Sequence, residues 1–117
     1  MDVVKLADIS AYEAPGHHGM VASTLQGKNA SPNEHFWVGF SIFLPGGGAT
    51  TAASPTEKVY VVLSGEITVI TDTQTVTLAA MESCRIAAGE ARSIENRSKD
   101  AARIIVISAN AEPGDKT

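Results

Sequence analysis

The sequence has a single cysteine, Cys84, and it has no long apolar run. One thiol cannot form an intramolecular disulfide, so a reducing compartment is expected and the thiol is expected to be a buried structural group. No apolar stretch approaches the roughly 18 residues that cross a bilayer. The N-terminal segment MDVVKLADIS also lacks the charged and apolar regions of a signal peptide. We therefore expect a cytoplasmic protein with no membrane partner.

Clustered positive charge is missing as well. The 117 residues include 9 Lys and Arg against 13 Asp and Glu, which gives a net charge of -4, and the basic residues are scattered along the chain. Surfaces that bind nucleic acid concentrate positive charge on one face. Nucleic acid is therefore not an expected partner. A hydrophobic content of 44% and a charged content of 19% are typical of one folded globular domain of this length.

Apolar residues never recur at helical spacing over several turns, and there is no internal repeat. Short β-branched and aromatic segments follow one another instead, among them FWVGFSIFL, KVYVVLS, EITVIT and ARIIVISA, with turn signals such as PGGG and TDTQT between them. This pattern predicts an all-β sandwich or barrel, and one domain of this size is expected to be a small jelly roll. Residues 1–34 are predicted to form N-terminal strands and a loop, residues 35–109 the core, and residues 110–117 a tail.

Two spaced motifs resemble those of the single-domain cupins, which are small double-stranded β-helix barrels. The first cupin motif, G-x5-H-x-H-x3-E-x6-G, places its two glycines on Gly46 and Gly65 without an insertion. The second, G-x5-P-x-G-x2-H-x3-N, places its last glycine on Gly89 and its asparagine on Asn96. The resemblance implies a cupin barrel over residues 36–109.

The positions at which cupins hold a metal carry other residues in this chain, namely Ala52, Ser54, Lys58 and Arg92. Imidazoles and carboxylates bind divalent metals because they offer lone pairs at neutral pH. Alanine offers none, and lysine and arginine add positive charge. We therefore expect no metal and no cofactor at this place. A relocated metal site made of His17, His18 and His35 is an alternative. Adjacent histidines point to opposite faces of a strand, however, so ordinary loop histidines are the favoured interpretation.

Strand alternation predicts which side chains accompany the two replaced cationic positions. Residues i and i+2 share a face of a strand, so Tyr60 accompanies Lys58, and Asn96, at i+4, accompanies Arg92. The resemblance to cupins implies that Lys58 and Arg92 approach each other inside the barrel. Two cations in one pocket need a compensating anion. We therefore predict a metal-independent pocket for a small anionic molecule, such as a carboxylate or a sugar acid.

Each candidate residue has an expected role in that pocket. Arg92 is expected to hold a carboxylate through a bidentate pair of hydrogen bonds. Lys58 is expected to act as an acid, a base or an amine nucleophile, and Tyr60 to donate or relay a proton. Asn96 is a further candidate for substrate binding, and so is His35 if the N-terminal segment folds over the mouth of the barrel.

Whether the protein is an enzyme is left open by the sequence. One hypothesis is a lyase, dehydratase or isomerase that works by proton transfer, and the alternative is a non-catalytic binding or sensing module. A third interpretation is a decayed site. In that case Lys58 and Arg92 pair with a carboxylate from Glu57, Glu90 or Glu95, or reach solvent.

A homodimer is the expected assembly, because cupins of this size often pair through sheet edges or exchange an N-terminal strand. The apolar FWVGFSIF segment is the expected contact, and its Trp37 is assigned to the core or to the dimer interface.

Overall fold

The computed structural model describes residues 1–111, and it consists almost entirely of one antiparallel sheet that curls into a nearly closed barrel. A short 3-10 turn, Leu6–Asp8, precedes the strands. The nine strands are β1 (Ala11–Tyr12), β2 (His17–Gln26), β3 (Phe36–Ala53), β4 (Lys58–Ser64), β5 (Ile67–Ile70), β6 (Thr75–Leu78), β7 (Ser83–Ile86), β8 (Ala91–Glu95) and β9 (Ala102–Ala109). The predicted all-β barrel is therefore confirmed. From residue 112 onward the predicted tail lies outside the described residues.

The long strand β3 organises the sheet. The strand order is β6-β5-β8-β3-β9-β4-β7, and β2 pairs with β3 and with β1. The first half of β3 pairs with β9, from Phe36 opposite Ala109 to Phe43 opposite Ala102. Its second half pairs with β8, and β2 follows it over much of its length. The strands that carry the two replaced cationic positions, β4 and β8, are thus joined to one another through β9 and β3.

The inward faces of the strands form the hydrophobic core. Alternate residues of β4 and β9 are buried, and Phe43, Val62 and Ile104 are at most 1% exposed. Cys84 is partly buried and packs against this cluster, as expected for a structural thiol. Within the described part of the chain, no helix is long and apolar enough to cross a membrane. The core also includes Tyr60, and Met20 and Val106 pack against it.

The segment PGGG is not the turn that the sequence predicts. It continues strand β3 through a bend at Gly46, whose φ of 80° lies in the left-handed region that favours glycine. Two positions later β3 runs so close to β8 that a Cβ on Gly48 would lie 2.1 Å from the carbonyl oxygen of Ile94. The glycines therefore let one strand change partners from β9 to β8 without a break.

The FWVGFSIF segment has no free edge, because β2 and β9 flank it on both sides. A second copy could therefore pair with this segment only by replacing β2 or β9. What it offers to a second copy is its outward face, on which Phe36 is 47% exposed, next to the 38% exposed Ile107 of β9. Dimerisation itself stays a prediction.

Alanine substitutions at Gly46 and Gly48 distinguish the effect of the left-handed backbone conformation from the effect of close contact between β3 and β8. For Gly46→Ala we expect a loss of about 1–2 kcal/mol in the free energy of unfolding, because only the left-handed φ is strained and no atom lies within 4 Å of the new Cβ. For Gly48→Ala we expect a larger loss, because the backbone of β8 must move away. Urea unfolding of both variants measures the difference, and equal losses would contradict this account of the bend.

Candidate functional site

The four positions that replace the metal ligands of cupins converge in space. Ala52 of β3 lies directly opposite Arg92 of β8. Both line a small cavity of about 80 Å³, to which Ser54 and Lys58 also contribute. Ala53, Ile86 and Glu90 complete its wall. The approach of Lys58 and Arg92 that the resemblance to cupins implies is therefore observed.

The side chains at this place do not fit a divalent metal. The guanidinium of Arg92 and the amine of Lys58 carry positive charge, Ala52 has no donor atom, and Ser54 has only a hydroxyl. Among residues 1–111, no group of three or more His, Cys, Asp or Glu side chains is arranged to hold an ion. The chemistry of this site must therefore be derived from its own side chains.

A second and larger cavity opens on the other side of the two cations. It has a volume of about 200 Å³ and reaches the mouth of the barrel. Its wall combines the inward faces of β2, β3, β4, β8 and β9. It consists of Tyr12, Ala14, Pro15, His17, Met20, Ala22, Ser23, Lys28, Trp37, Gly39, Ser41, Lys58, Tyr60, Arg92 and Val106. No Asp or Glu of the described chain lines this larger cavity. We refer to it below as the mouth cavity.

Arg92 forms the floor of the mouth cavity and is only 7% exposed. Its Nε donates a hydrogen bond to Tyr60 Oη at 2.8 Å, and its Nη1 donates one to the carbonyl oxygen of Thr50 at 3.2 Å. No hydrogen bond links its Nη2 to another described residue. Two neutral acceptors thus fix the plane of the guanidinium, and part of its hydrogen-bonding capacity remains available to a ligand.

None of the carboxylates that were considered as partners of these cations forms an ion pair with Lys58 or Arg92. Glu57 pairs with Arg85, and Glu95 pairs with Arg97. Glu90 lines the small cavity, where its Oε1 accepts a hydrogen bond from the backbone N–H of Ala87 at 2.9 Å. Over residues 1–111, neither Lys58 nor Arg92 forms an ion pair. The structure therefore does not support the interpretation of a decayed, internally paired site.

Tyr60 is oriented to act as a proton donor. Its ring is 3% exposed, and its hydroxyl oxygen accepts the hydrogen bond from Arg92, so the hydroxyl proton is free to point at a ligand. Burial raises the pKa of Tyr60, although the charge and the hydrogen bond of Arg92 act in the opposite direction. A raised pKa keeps the phenol protonated near neutral pH, which suits a donor rather than a base.

Lys58 and His17 both line the mouth cavity next to Arg92, and both have a lowered pKa that suits a proton acceptor. Burial lowers the pKa of Lys58, and the neighbouring charges of Arg92 and Lys28 lower it further. Burial also lowers the pKa of His17, with smaller contributions from the charges of Arg92 and Lys58. Since the carbonyl of Pro15 can only accept the 2.8 Å hydrogen bond from His17 Nδ1, that nitrogen carries the proton. Nε2 of the neutral ring then keeps its lone pair.

Two of the predicted substrate-binding residues do not line the mouth cavity. Asn96 is buried at the end of β8, where its Nδ2 donates to the carbonyl oxygens of Phe43 and Asp100 at 2.9 and 2.8 Å. His35 is exposed on the surface beside Glu34, with its Nε2 3.7 Å from the carboxylate. The structure thus brings together Lys58, Tyr60 and Arg92, and it leaves the other two apart.

The structure adds site residues that sequence reasoning missed. Trp37, assigned above to the core or an interface, lines the mouth cavity, and Lys28 lies over its ring with Nζ 3.8 Å from the ring centroid. The cavity exists because Gly39 and Ser41, the next inward positions of β3 after Trp37, are small. Two small residues at alternate positions of an otherwise bulky strand were a readable signal of that space. No local signal marked Lys28.

Fold and cavity together define an antiparallel β-barrel protein with an internal cavity. The chain belongs to the cupin family, because residues 39–108 match the cupin domain (Cupin_2). It is 40% identical over 110 residues to the beta-D-galactosidase Rv1717 of Mycobacterium tuberculosis, and the match covers 94% of this chain and 95% of that protein.

Solved structures show the same fold at low sequence identity. The polyketide cyclase RemF of Streptomyces resistomycificus superimposes with a TM-score of 0.81 at 19% identity, over 97% of this chain and 81% of that chain. A predicted oxalate decarboxylase of Thermotoga maritima superimposes with a TM-score of 0.78 at 21% identity, over 92% of this chain and 97% of that chain. At such identities the likeness concerns the fold alone.

The titration of His17 tests whether the cations share one cavity. We expect its imidazole to titrate below the ordinary value of 6.5, and its pKa to rise in Lys58→Met because a repelling charge is removed. Since the unfolded chain then binds more protons than the folded one, the free energy of unfolding should fall as the pH drops through and below 6.5, and it should fall less in the variant. NMR titration measures the pKa. Arg103→Met, at an exposed cation on β9, is the control, and an unchanged His17 pKa in Lys58→Met would contradict the arrangement.

Proposed function

We propose that this protein binds a small anionic molecule of the sugar-acid class in the mouth cavity and transforms it by proton transfer, without a metal at the usual cupin position. The observation that carries the proposal is the composition of that cavity. Lys58, Arg92 and His17 line it together, and it has no carboxylate among the described residues. Positive charge removed from water needs compensation, and a bound anion supplies it.

The geometry around Arg92 suits the binding of a carboxylate. Tyr60 and Thr50 fix the guanidinium on one side, so little ordering remains to be done when a ligand arrives. Serine hydroxyls and a Trp37 ring face accompany the cations in the wall, and they suit the hydroxyl groups and the C–H faces of a sugar.

The proposed chemistry is removal of a proton from the carbon next to the bound carboxylate. Lys58, or His17 through Nε2, accepts that proton, because both groups have lowered pKa values. Arg92 stabilises the negative charge that develops on the carboxylate, and the Tyr60 hydroxyl returns a proton elsewhere on the molecule. A lyase, dehydratase or isomerase would use these same steps. A non-catalytic sugar-acid carrier or sensor remains the alternative, and it would use the cavity without the proton transfer.

Exchange of the substrate's α-proton for deuterium tests the chemistry without requiring the final product to be known. D-galacturonate, D-galactonate and D-gluconate are incubated with the protein in deuterated water and followed by NMR. We expect exchange of at least one acid to be lost about 10²–10⁴-fold in Lys58→Met, while Lys99→Met, at an exposed lysine, retains it. Binding without exchange would support the carrier or sensor. Full exchange in Lys58→Met would remove that residue from the mechanism.

Arg92→Met tests the binding step by itself. Loss of a charge-assisted hydrogen bond costs about 1.5–3 kcal/mol, so calorimetry should show affinity for the same acids weakened by about 10- to 150-fold. Unaltered affinity in this variant would place the acids outside the mouth cavity.

Hydrolysis of a β-D-galactoside is a second candidate function, and the 40% identical relative favours it. Glycoside hydrolysis ordinarily uses two carboxylates that flank the scissile bond. Glu90 is the one carboxylate that lines either the small or the mouth cavity within the described chain. A galactosidase built on this site would therefore depend on Glu90 and would need a different group in the second role.

A chromogenic β-D-galactoside distinguishes this second candidate from the first. If p-nitrophenyl β-D-galactoside is cleaved, Glu90→Gln should lower the rate about 10²–10⁴-fold as expected for the loss of a general acid or base, and Glu66→Gln, in the exposed turn after β4, should not. No cleavage by the unaltered protein would dismiss the candidate.

A further inference from the structure

Lys28 lines the entrance of the mouth cavity and lies in a turn that is stabilised by hydrogen bonds. The residue has a φ of 50°, in the left-handed region that lysine rarely adopts, directly after Gly27. The hydroxyl of Ser31 accepts a hydrogen bond from the Gly27 N–H at 2.7 Å and lies 2.7 Å from Gln26 Oε1. The Ala30 N–H donates to the Gly27 carbonyl oxygen at 2.9 Å. The position of Lys28 is thus set by buried hydrogen bonds and not by a free loop.

The side chain of Lys28 extends from this turn over aromatic rings. Its Nζ lies 3.8 Å from the centroid of Trp37 and 5.8 Å from that of Tyr12. Lys28 lines both the mouth cavity and an adjoining surface cavity, whose only carboxylate among the described residues is Asp8. No ion pair joins Lys28 to Asp8 or to any other described residue. The aromatic faces attract the ammonium, but they do not neutralise it.

The mouth cavity therefore contains three basic side chains, Lys28, Lys58 and Arg92, together with the imidazole of His17. All three basic side chains line one cavity, and the charges of Arg92 and Lys28 add to the effect of burial in lowering the pKa of Lys58. A ligand with one carboxylate on Arg92 would leave the entrance cation without a counter-charge. The volume of about 200 Å³ equals roughly seven waters at about 30 Å³ each, which limits the occupant to a small molecule.

We propose that the natural ligand is a small dianion with one anionic group at Arg92 and Lys58 on the floor and a second anionic group at Lys28 at the entrance. The first group is a carboxylate, and the second is a carboxylate or a phosphate at the other end of the same short chain. This inference rests on the proposed function and narrows its ligand class from sugar acids in general to doubly anionic ones.

Matched ligand pairs measure the contribution of the second anionic group. D-galactonate and galactarate share a six-carbon chain and differ in one terminal carboxylate, and D-gluconate and 6-phospho-D-gluconate differ in one terminal phosphate. By calorimetry at low salt we expect the doubly anionic member of at least one pair to bind at least tenfold more tightly. The pair that shows the difference identifies the second group as carboxylate or phosphate.

Lys28→Met removes the charge while keeping a side chain of similar length over Trp37. In this variant the doubly anionic ligand should lose most of its advantage over its singly anionic partner, because its affinity should fall by a much larger factor than that of the partner. Lys28→Arg should restore the difference, and circular dichroism confirms that both variants fold.

The outcomes separate the two proposals. Equal binding of both members of each pair, or an equal weakening of both in Lys28→Met, would overturn the dianion inference and leave the anion pocket standing. If none of the four acids binds, the proposed function fails and this inference fails with it.

Discussion

A buried guanidinium held by neutral acceptors is the constraint on which the site depends. Arg92 lies on the inward face of β8, and its hydrogen bonds go to a phenol and to a backbone carbonyl, not to a carboxylate. Removing a charge from water is unfavourable unless it is paired, and hydrogen bonds to dipoles offset only part of that free energy. The folded chain consequently carries an uncompensated positive charge at the floor of a cavity. That property distinguishes this site from an ordinary apolar pocket.

The barrel can tolerate this charge because its stability is provided elsewhere. The apolar core contains the most deeply buried side chains, including Val62, Ile67 and Ile104. The inward-facing residues of one strand can therefore belong to the core at one position and line the cavity at another. On β4 the buried Val62 belongs to the core, whereas Tyr60 and Lys58, two and four residues away on the same face, line the cavity. The residues that form the site are therefore continuous with the core.

Local patterns in the sequence predicted what depends on strand alternation and motif spacing. The segments KVYVVLS and ARIIVISA coincide with β4 and β9, and the resemblance carried by the two motifs implied that Lys58 and Arg92 approach each other. What could not be predicted depends on tertiary contacts. The glycines after Pro45 resemble a turn by composition, but the neighbouring strands extend them into β3. Lys28 lies in a loop by composition, and only the folding of the 27–31 turn over Trp37 brings it to the cavity.

The similarity to a galactosidase suggests a ligand with sugar hydroxyl groups, whereas the positive charge of the cavity favours a ligand with an anionic group. A neutral galactoside offers hydroxyl groups, which can accept hydrogen bonds from Arg92 but leave its charge and that of Lys58 uncompensated. A sugar acid has both features, because its hydroxyl groups resemble those of a galactoside and its carboxylate can compensate the positive charge of Arg92 and Lys58. A relative that is 40% identical can share the barrel and differ in the few groups that determine the charge of the cavity. The residues at positions 28, 58 and 92 are therefore more informative about the proposed ligand than the barrel that carries them.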